Sequence, residues 1–185
     1  AYSLGARNVY TRDKAIETPD DLKGMKIRVM NSETSIAMMN AMGGVGTPMA
    51  QNDVYSGIQT GTLDGAENNI ITYVDLVQYE VAPYYNYTGH LMVPDELCIN
   101  AKVFDSMSAE DQEALKKCAA ESISYMFNLC AEQRADFEAK AAEHGAIFTQ
   151  SDVAAFQALC QDLINDTANK TEMSKSVYEA ILSER

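Results

Sequence analysis

The chain has 185 residues, of which 46% are hydrophobic, and its formal net charge is −13. This length and apolar content are enough for one ordinary domain, or two small lobes, around a buried core. The acidic charge argues against nucleic acid and anionic membrane surfaces as partners, because both require clustered lysine and arginine. Binding of an anion would therefore depend on a few of the 14 Lys and Arg residues placed inside a cleft.

The start of the chain carries no recognisable targeting signal. Residues 1–20 lack the charged start and apolar centre of a signal peptide, and no apolar run approaches the roughly 18 to 20 residues that cross a bilayer. Residues 1–10 instead resemble the interior of a domain, because they lead straight into a strand. We therefore expect a chain that is truncated relative to a longer protein.

The first strand is predicted over residues 7–10, and a second strand, residues 26–29, places a cation near its end. Alternation turns Arg28 away from the face that carries Ile27 and Val29. The polar turn that follows predicts a capped helix, so strand, turn and helix N-terminus come in the order found where open α/β sheets bind ligands. An arginine beside free helix N–H groups suits an anion. The alternative is a solvated arginine on an edge strand.

The middle of the chain continues the alternation of strands and helices. The glycine-rich residues 43–46 follow a helix and precede a short strand at 47–50, the reverse of a dinucleotide-binding fingerprint, and we interpret them as a turn. Asn52 predicts the N-cap of the next helix. Residues 63–68 predict a strand that leads into a helix at 70–77, and a hairpin turn in the same segment is the alternative.

The second half of the chain is predicted to be mostly helical after two strands, residues 84–92 and 96–100, which are rich in aromatic and β-branched side chains. A helix from about residue 109 to 143 would be about 50 Å long, whereas a compact chain of this size is roughly 40 Å across. We expect this helix to kink or to span two lobes. Gly145 ends it, and a short strand and two further helices follow, the last one opening at Thr171.

Four cysteines are present, Cys98, Cys118, Cys130 and Cys160, without a C-x-x-C pair or a nearby histidine. This pattern argues against a zinc site. Cys118 and Cys130 are predicted on one helix about 18 Å apart, too far for a disulfide. We expect the cysteines to be small buried apolar residues, with disulfides as the alternative.

Several sequence blocks keep their order and approximate spacing over about residues 5–145. They are TPDDLKGMKIRV (18–29), TPM (47–49), DVY (53–55), IQTG (58–61), LDGAEN (63–68), YEV (79–81), TGH (88–90), LCINAKVF (97–104) and LKKCAA (115–120). In these blocks the chain resembles the solute-binding proteins of tripartite ATP-independent periplasmic (TRAP) transporters.

The resemblance implies an α/β fold of the type II periplasmic-binding-protein class. Residues 1–88 would form a βα ligand-binding lobe, and residues 89–185 the crossover strands, a long lobe-spanning helix and C-terminal helices, with the N-terminal lobe largely absent. The change from alternating elements to mostly helices near residues 83–92 agrees with this division. A ligand site formed by only one lobe stays open to water, so we expect Arg28 to be partly solvated.

The resemblance also implies a function. The protein would be extracytoplasmic, lipid-anchored or secreted, would capture an organic acid such as a dicarboxylate without a cofactor or metal, and would deliver it to the membrane subunits of a TRAP permease. The sequence contains no G-x-S-x-G, H-E-x-x-H or P-loop motif, which argues against an enzyme. A ligand-sensing input domain of a receptor is the alternative.

Five ligand-binding residues follow from the resemblance. The family's arginine that pairs with the substrate carboxylate falls on Arg28, and its second arginine falls on Arg7. The asparagine of the DGAEN block falls on Asn68, and a pocket-lining position falls on Gln51. His90 matches a position that lies near the ligand in some members.

The residues themselves leave alternatives open. Arg7 could be a surface arginine, Asn68 an N-cap, and His90 a packed or hydrogen-bonded histidine. Asn69 stands where the family often has proline, and Gln51 stands where an aromatic residue is frequent. These two departures leave the identity of the substrate open.

Overall fold

A computed structural model describes residues 1–184 of the protein. Six strands form one sheet in the order β3-β2-β4-β1-β5-β6. The strands are β1 (Arg7–Thr11), β2 (Lys26–Val29), β3 (Val45–Pro48), β4 (Gly65–Asn68), β5 (Tyr84–Leu91) and β6 (Ile147–Gln150). The helices are α1 (Glu33–Ala41), α2 (Val54–Gln59), α3 (Ile70–Asp75), α4 (Ala101–Asp105), α5 (Ala109–Glu143), α6 (Val153–Leu159), α7 (Gln161–Ala168) and α8 (Glu172–Ser183).

The directions of the strands place most of their carboxyl ends on the same side of the sheet. β2 is parallel to β3 and β4, β1 is antiparallel to β4 and β5, and β5 is parallel to β6. The carboxyl ends of five strands therefore lie beside the amino end of β1. This arrangement confirms the expected mixed α/β architecture. It places the predicted ligand-binding residues where these strand ends lie, which we call the edge of the sheet.

Each face of the sheet has its own buried core. Val9, Ile27 and Val29 pack with methionines of α1 and with Phe156 of α6 on one face. On the other face, a cluster with Tyr10 at its centre packs against α2, α3 and the end of α5. At about 25 cal/mol per Å² of apolar surface, burial of this kind is the main favourable contribution to folding.

Several predicted helix ends are confirmed. Ser32 accepts a hydrogen bond from the Ser35 N–H as the N-cap of α1, and Thr171 accepts one from the Ser174 N–H as the N-cap of α8. Gly145 follows α5 with φ of 92°, the left-handed conformation that ends helices. The predicted long helix is also confirmed, because α5 is an uninterrupted helix of 35 residues.

Three local predictions are wrong. Residues 96–100, all of which are described, form no strand, because no neighbouring strand is available to pair with them; the nearest pairing is an isolated bridge between Tyr2 and Asp95. Asn52 does not cap α2, because a 3₁₀ turn, Gln51–Asp53, precedes that helix. The helix predicted after residue 152 is divided at Cys160 into α6 and α7.

The expectation of buried cysteines is also wrong. All four cysteines are free, with Cys98 and Cys118 exposed and Cys130 and Cys160 half-buried. Cys118 is exposed because α5 contacts the rest of the protein mainly through its C-terminal half, where Ala141 is buried. Within the described residues, no helix has both the length and the apolar character that a bilayer span requires.

The proposed division between residues 88 and 89 falls inside β5. β5 and β6 belong to the same sheet as the first four strands, so the sheet draws on both parts of the chain. The division stays a prediction.

Gly65 is expected to tolerate no side chain. It lies in β4 between β1 and β2, and a Cβ added there would overlap the carbonyl oxygen of Tyr10 and come within 3.0 Å of the Thr11 Cα. Gly65→Ala should lower the free energy of unfolding by about 1 to 3 kcal/mol in urea denaturation. Gly44→Ala is the control, because its Cβ would meet the flexible Met39 side chain. Equal stability of the two variants would contradict this packing.

Candidate functional site

The five side chains predicted from the sequence come together at the edge where the strand ends gather. Arg28 lies in β2, Asn68 ends β4, Arg7 begins β1, His90 lies near the end of β5, and Gln51 follows β3. Hydrogen bonds and ion pairs connect them in two groups. Because successive strand residues point to opposite faces, the two groups lie on opposite faces of the sheet and meet at its edge.

The first group contains Arg28, Gln51 and Asn68. Arg28 Nε donates to the carbonyl oxygen of Met49 at 2.8 Å, and Arg28 Nη1 donates to Gln51 Oε1 at 2.9 Å. Asn68 Nδ2 donates to the same Gln51 oxygen at 3.2 Å. Gln51 Nε2 is buried and has no partner among the described residues. The group therefore has a free amide donor beside a fixed guanidinium.

Arg28 is more buried than the sequence predicts. It is 5% exposed, so the expectation of partial solvation is wrong. The reason is local, because the chain after β3 crosses above the guanidinium and both Met49 and Gln51 bond to it. Burial lowers the pKa of Arg28 from its ordinary value, although an arginine keeps its charge in proteins. Among the described residues no carboxylate forms a salt bridge with it.

The second group is built around an ion pair between Arg7 and Glu67. Arg7 Nε donates to Glu67 Oε2 at 2.6 Å, and Arg7 Nη2 donates to Glu67 Oε1 at 2.8 Å and to the Glu67 carbonyl oxygen at 3.0 Å. The two side chains are 10% and 1% exposed. Arg7 is therefore not a surface arginine, and much of its donor capacity is used inside the protein.

Glu67 is the residue at the candidate site that sequence reasoning missed. Although burial raises the pKa of its carboxyl group, contacts with Arg7 and His90 outweigh burial and bring the pKa below its ordinary value. Glu67 is therefore ionised at neutral pH. A signal was available, because a carboxylate in a strand predicted to be buried needs a cationic partner.

His90 belongs to the second group. Its Nδ1 lies 2.8 Å from Thr88 Oγ1, and its Nε2 lies 3.4 Å from Glu67 Oε2 without the alignment of a hydrogen bond. The side chain is 3% exposed. The structure thus places His90 as a buried, hydrogen-bonded histidine beside the ion pair, and a direct role in ligand binding stays a prediction.

Asn68 is not the N-cap of α3, so that alternative is wrong. The cap is Asn69, whose side chain accepts a hydrogen bond from the Thr72 N–H at 2.9 Å. Asn68 instead accepts from the Asn69 N–H through Oδ1 at 3.0 Å. Its amide is therefore held in place by Gln51 and Asn69 at the strand end.

Tyr10 shares the face of the sheet that carries Arg28. It is fully buried, and its hydroxyl group has no hydrogen-bond partner among the described residues. Burial, and to a lesser extent the charge of Glu67, raises the pKa of Tyr10 well above its ordinary value. The hydroxyl is therefore neutral and is a further unsatisfied polar group near the arginine.

A cavity of about 240 Å³ opens at this edge of the sheet. Its polar lining consists of Arg7, Asn68, Asn69, Thr72 and Asp95. A pocket of this size and lining suits a small polar molecule. Within the described residues, no group of three or more His, Cys, Asp or Glu side chains is placed to hold a metal ion.

Comparison with known proteins shows the family. The model of the family described as "Bacterial extracellular solute-binding protein, family 7" (DctP) matches residues 1–171. The chain belongs to this family. The family is one of extracellular solute-binding proteins, and one curated relative, from Rhodobacter capsulatus, is a C4-dicarboxylate-binding periplasmic protein. The resemblance seen in the sequence is therefore confirmed.

The chain is similar to family members from several bacteria. A "Solute-binding protein" of Chromohalobacter salexigens is 37% identical over 163 residues, which are 88% of this chain and 48% of that protein. Another, from Roseobacter denitrificans, is 33% identical over 183 residues, which are 99% of this chain and 55% of the relative. The chain thus spans about half the length of the curated relatives it matches.

A solved structure confirms the fold. The TRAP periplasmic solute-binding protein of Chromohalobacter salexigens, with bound D-glucuronate, superposes with a TM-score of 0.95 at 34% sequence identity. The match covers 100% of this chain and 62% of that chain. The periplasmic-binding-protein fold expected from the sequence is therefore the fold of this family member.

Loss of the Glu67 charge is expected to destabilise the protein. Glu67→Gln leaves the buried Arg7 without a counter-charge and should lower the free energy of unfolding at pH 7 by about 3 kcal/mol, measured by chemical denaturation. The folded-state pKa of Glu67 is below its ordinary 4.5, so its stabilising contribution is full above that pH. The contribution is lost as the pH falls through the folded-state pKa. Glu67→Gln should therefore lose less stability on acidification than the parent protein does.

Glu113→Gln is the control, because Glu113 pairs with Lys116 on the surface and should barely change stability. A Glu67→Gln variant with the same acid sensitivity as the parent protein would contradict the assignment.

Removal of the Tyr10 hydroxyl is expected to stabilise the ligand-free protein. The hydroxyl is buried without a partner, so Tyr10→Phe should raise the free energy of unfolding by about 1 kcal/mol. Tyr73→Phe is the matched comparison, because the Tyr73 hydroxyl donates to the Ala82 carbonyl oxygen at 2.9 Å, and it should have the opposite effect. The two variants are compared by urea denaturation, and a loss of stability in both would show that the Tyr10 hydroxyl is satisfied.

Proposed function

We propose that this protein is the solute-binding component of a TRAP-type transporter, which captures an organic acid outside the cytoplasm and delivers it to the membrane subunits of the permease. In the cell it would be secreted into the periplasm or held at the membrane surface by a lipid anchor. The carboxylate of the acid would be bound by Arg28 at the edge of the sheet.

The observation that supports this proposal is that the Arg28 charge has no salt-bridge partner among the described residues. The guanidinium is buried, yet among the described residues its only hydrogen-bond partners are the neutral oxygens of Met49 and Gln51. A buried charge without a counter-charge is costly unless an anion pairs with it. The protein therefore holds a cation in the state that favours binding of an anion.

The geometry suits a carboxylate in particular. Nε and Nη1 hold the side chain in place, and no described residue accepts a hydrogen bond from Nη2. Guanidinium N–H groups form two parallel hydrogen bonds with a carboxylate, an arrangement that a lysine ammonium group cannot reproduce. The free Gln51 Nε2 amide and the fixed Asn68 amide lie beside this position and supply further polar contacts.

The structural relative supports a sugar acid as the substrate class, because it was solved with D-glucuronate. The cavity at the sheet edge agrees with a hydroxylated acid, since amide and hydroxyl groups of Asn68, Asn69 and Thr72 line it. Such groups donate and accept hydrogen bonds, as sugar hydroxyls require. C4-dicarboxylates and aromatic acids are the comparison compounds for a binding screen.

Both substitutions of Arg28 are expected to weaken binding strongly. In calorimetric titration of the complete gene product with D-glucuronate, Arg28→Ala and Arg28→Lys should each lose about 2 to 5 kcal/mol of binding free energy. Lysine keeps the charge but loses the bidentate geometry, so Arg28→Lys should recover little of the affinity that Arg28→Ala loses.

Arg12→Lys is the matched control for this titration. Arg12 lies just beyond the other end of β1, where it pairs with the exposed Asp13, and its replacement should leave the affinity unchanged. Near-normal affinity of either Arg28 variant would overturn the assignment of the carboxylate site.

A further inference from the structure

The side-chain amide of Asn68, at the end of β4, is held in one orientation by its neighbour Asn69. Asn68 Oδ1 lies 3.0 Å from the Asn69 backbone N–H and 3.2 Å from Asn69 Nδ2, and both of these groups can only donate. The orientation of Asn69 is fixed in turn, because its Oδ1 accepts from the Thr72 N–H at 2.9 Å. Both lone pairs of Asn68 Oδ1 are therefore used inside the protein.

The amide of Gln51 is oriented by the same reasoning. Its Oε1 lies 2.9 Å from Arg28 Nη1, and a guanidinium group can only donate, so the oxygen faces Arg28. Asn68 Nδ2 donates to the same oxygen at 3.2 Å. Gln51 Oε1 thus also has two donors, and Nε2 is left without a partner among the described residues.

The free hydrogen-bonding groups of these three side chains are all donors. Arg28 Nη2, Gln51 Nε2 and the second hydrogen of Asn68 Nδ2 have no acceptor among the described residues, whereas both amide oxygens are occupied. A ligand oxygen can accept a hydrogen bond from such groups. A ligand ammonium group would lose its hydration and find no amide oxygen free to replace it.

We propose that Asn69 is a positioning residue that sets specificity: it occupies the oxygen of Asn68, so that Asn68 acts only as a donor, and the site selects acids with an acceptor oxygen on the carbon next to the carboxylate over acids with an ammonium group there. This inference rests on the proposed function, because it places the carboxylate on Arg28. Arg28 and Asn68 are neighbours, since both donate to one oxygen atom of Gln51. A carboxylate bound by Arg28 brings the adjoining carbon of the ligand towards Asn68.

Two sugar acids with rings of the same size test this selection. In D-glucuronate, the carbon next to the carboxylate carries the ring oxygen, which accepts hydrogen bonds and cannot donate. In the matching iminosugar acid, 3,4,5-trihydroxypiperidine-2-carboxylate with the stereochemistry of D-glucuronate, a ring ammonium group takes that place. In calorimetric titration of the complete gene product at pH 7, D-glucuronate should bind at least about tenfold more tightly than the iminosugar acid.

Asn69→Pro is expected to release the oxygen of Asn68. Proline has neither an N–H nor an amide side chain, so both hydrogen bonds to Asn68 Oδ1 are lost, and the φ of −74° at residue 69 suits the proline ring. The freed oxygen can accept a hydrogen bond from an ammonium group. The affinity for the iminosugar acid relative to D-glucuronate should therefore rise by about tenfold.

Asn69→Ala is the matched control. Like proline, alanine lacks the side chain that caps α3, but it keeps the backbone N–H that donates to Asn68 Oδ1. Both variants should lose stability in urea denaturation through the lost cap, while Asn69→Ala keeps an affinity ratio close to that of the parent protein. The ratio is independent of any loss of binding that affects the two acids equally.

Every outcome either supports the inference or overturns it. If the parent protein binds the two acids equally, or binds neither, the inference is overturned even where Asn69→Pro cannot be purified. An unchanged ratio in Asn69→Pro, or an equal rise in Asn69→Ala, also overturns it. In these cases the proposed function stands if an organic acid binds and Arg28→Ala abolishes its binding. If Arg28→Ala binds that acid normally, the proposed function fails and the inference fails with it.

Discussion

The buried ion pair between Arg7 and Glu67 is the interaction on which the arrangement of the site depends. It joins the first residue of β1 to β4, its antiparallel neighbour in the sheet. Neither charge could remain buried alone, because removing one partner leaves the other without compensation. The pair therefore holds the amino end of β1 against the carboxyl end of β4. His90 of β5 lies against the same carboxylate, so three strands converge on one charge.

The two faces of the sheet use their arginines differently. On one face, Arg7 is neutralised by a side chain of the protein. On the other, Arg28 is held by neutral oxygens and keeps an uncompensated charge. A net charge of −13 on the whole chain repels anions at a distance, so the anion binding that we propose depends on this local cation. Of these two arginines, only Arg28 therefore keeps a charge with which a ligand anion could pair.

The local signals of the sequence were reliable where structure depends on nearby residues. Ser32 and Thr171 cap their helices through bonds to residues three positions away, and the alternation around Arg28 follows from strand geometry. Residues 96–100 show where local signals fail, because strand propensity is realised only when a partner strand is present. The exposure of Cys118 has the same cause, since it depends on what packs against α5.

By itself, the sequence determined the α/β class, the family and the position of Arg28 and Asn68 at strand ends. These features are encoded in short motifs whose geometry is set within a few residues. Only the tertiary structure decided that Arg28 is buried and that Arg7 already holds a carboxylate. Glu67 is 60 positions from Arg7, and the pairing becomes visible only when the antiparallel register of β1 and β4 brings the two side chains together. Burial and charge compensation are properties of such long-range contacts, which no local pattern contains.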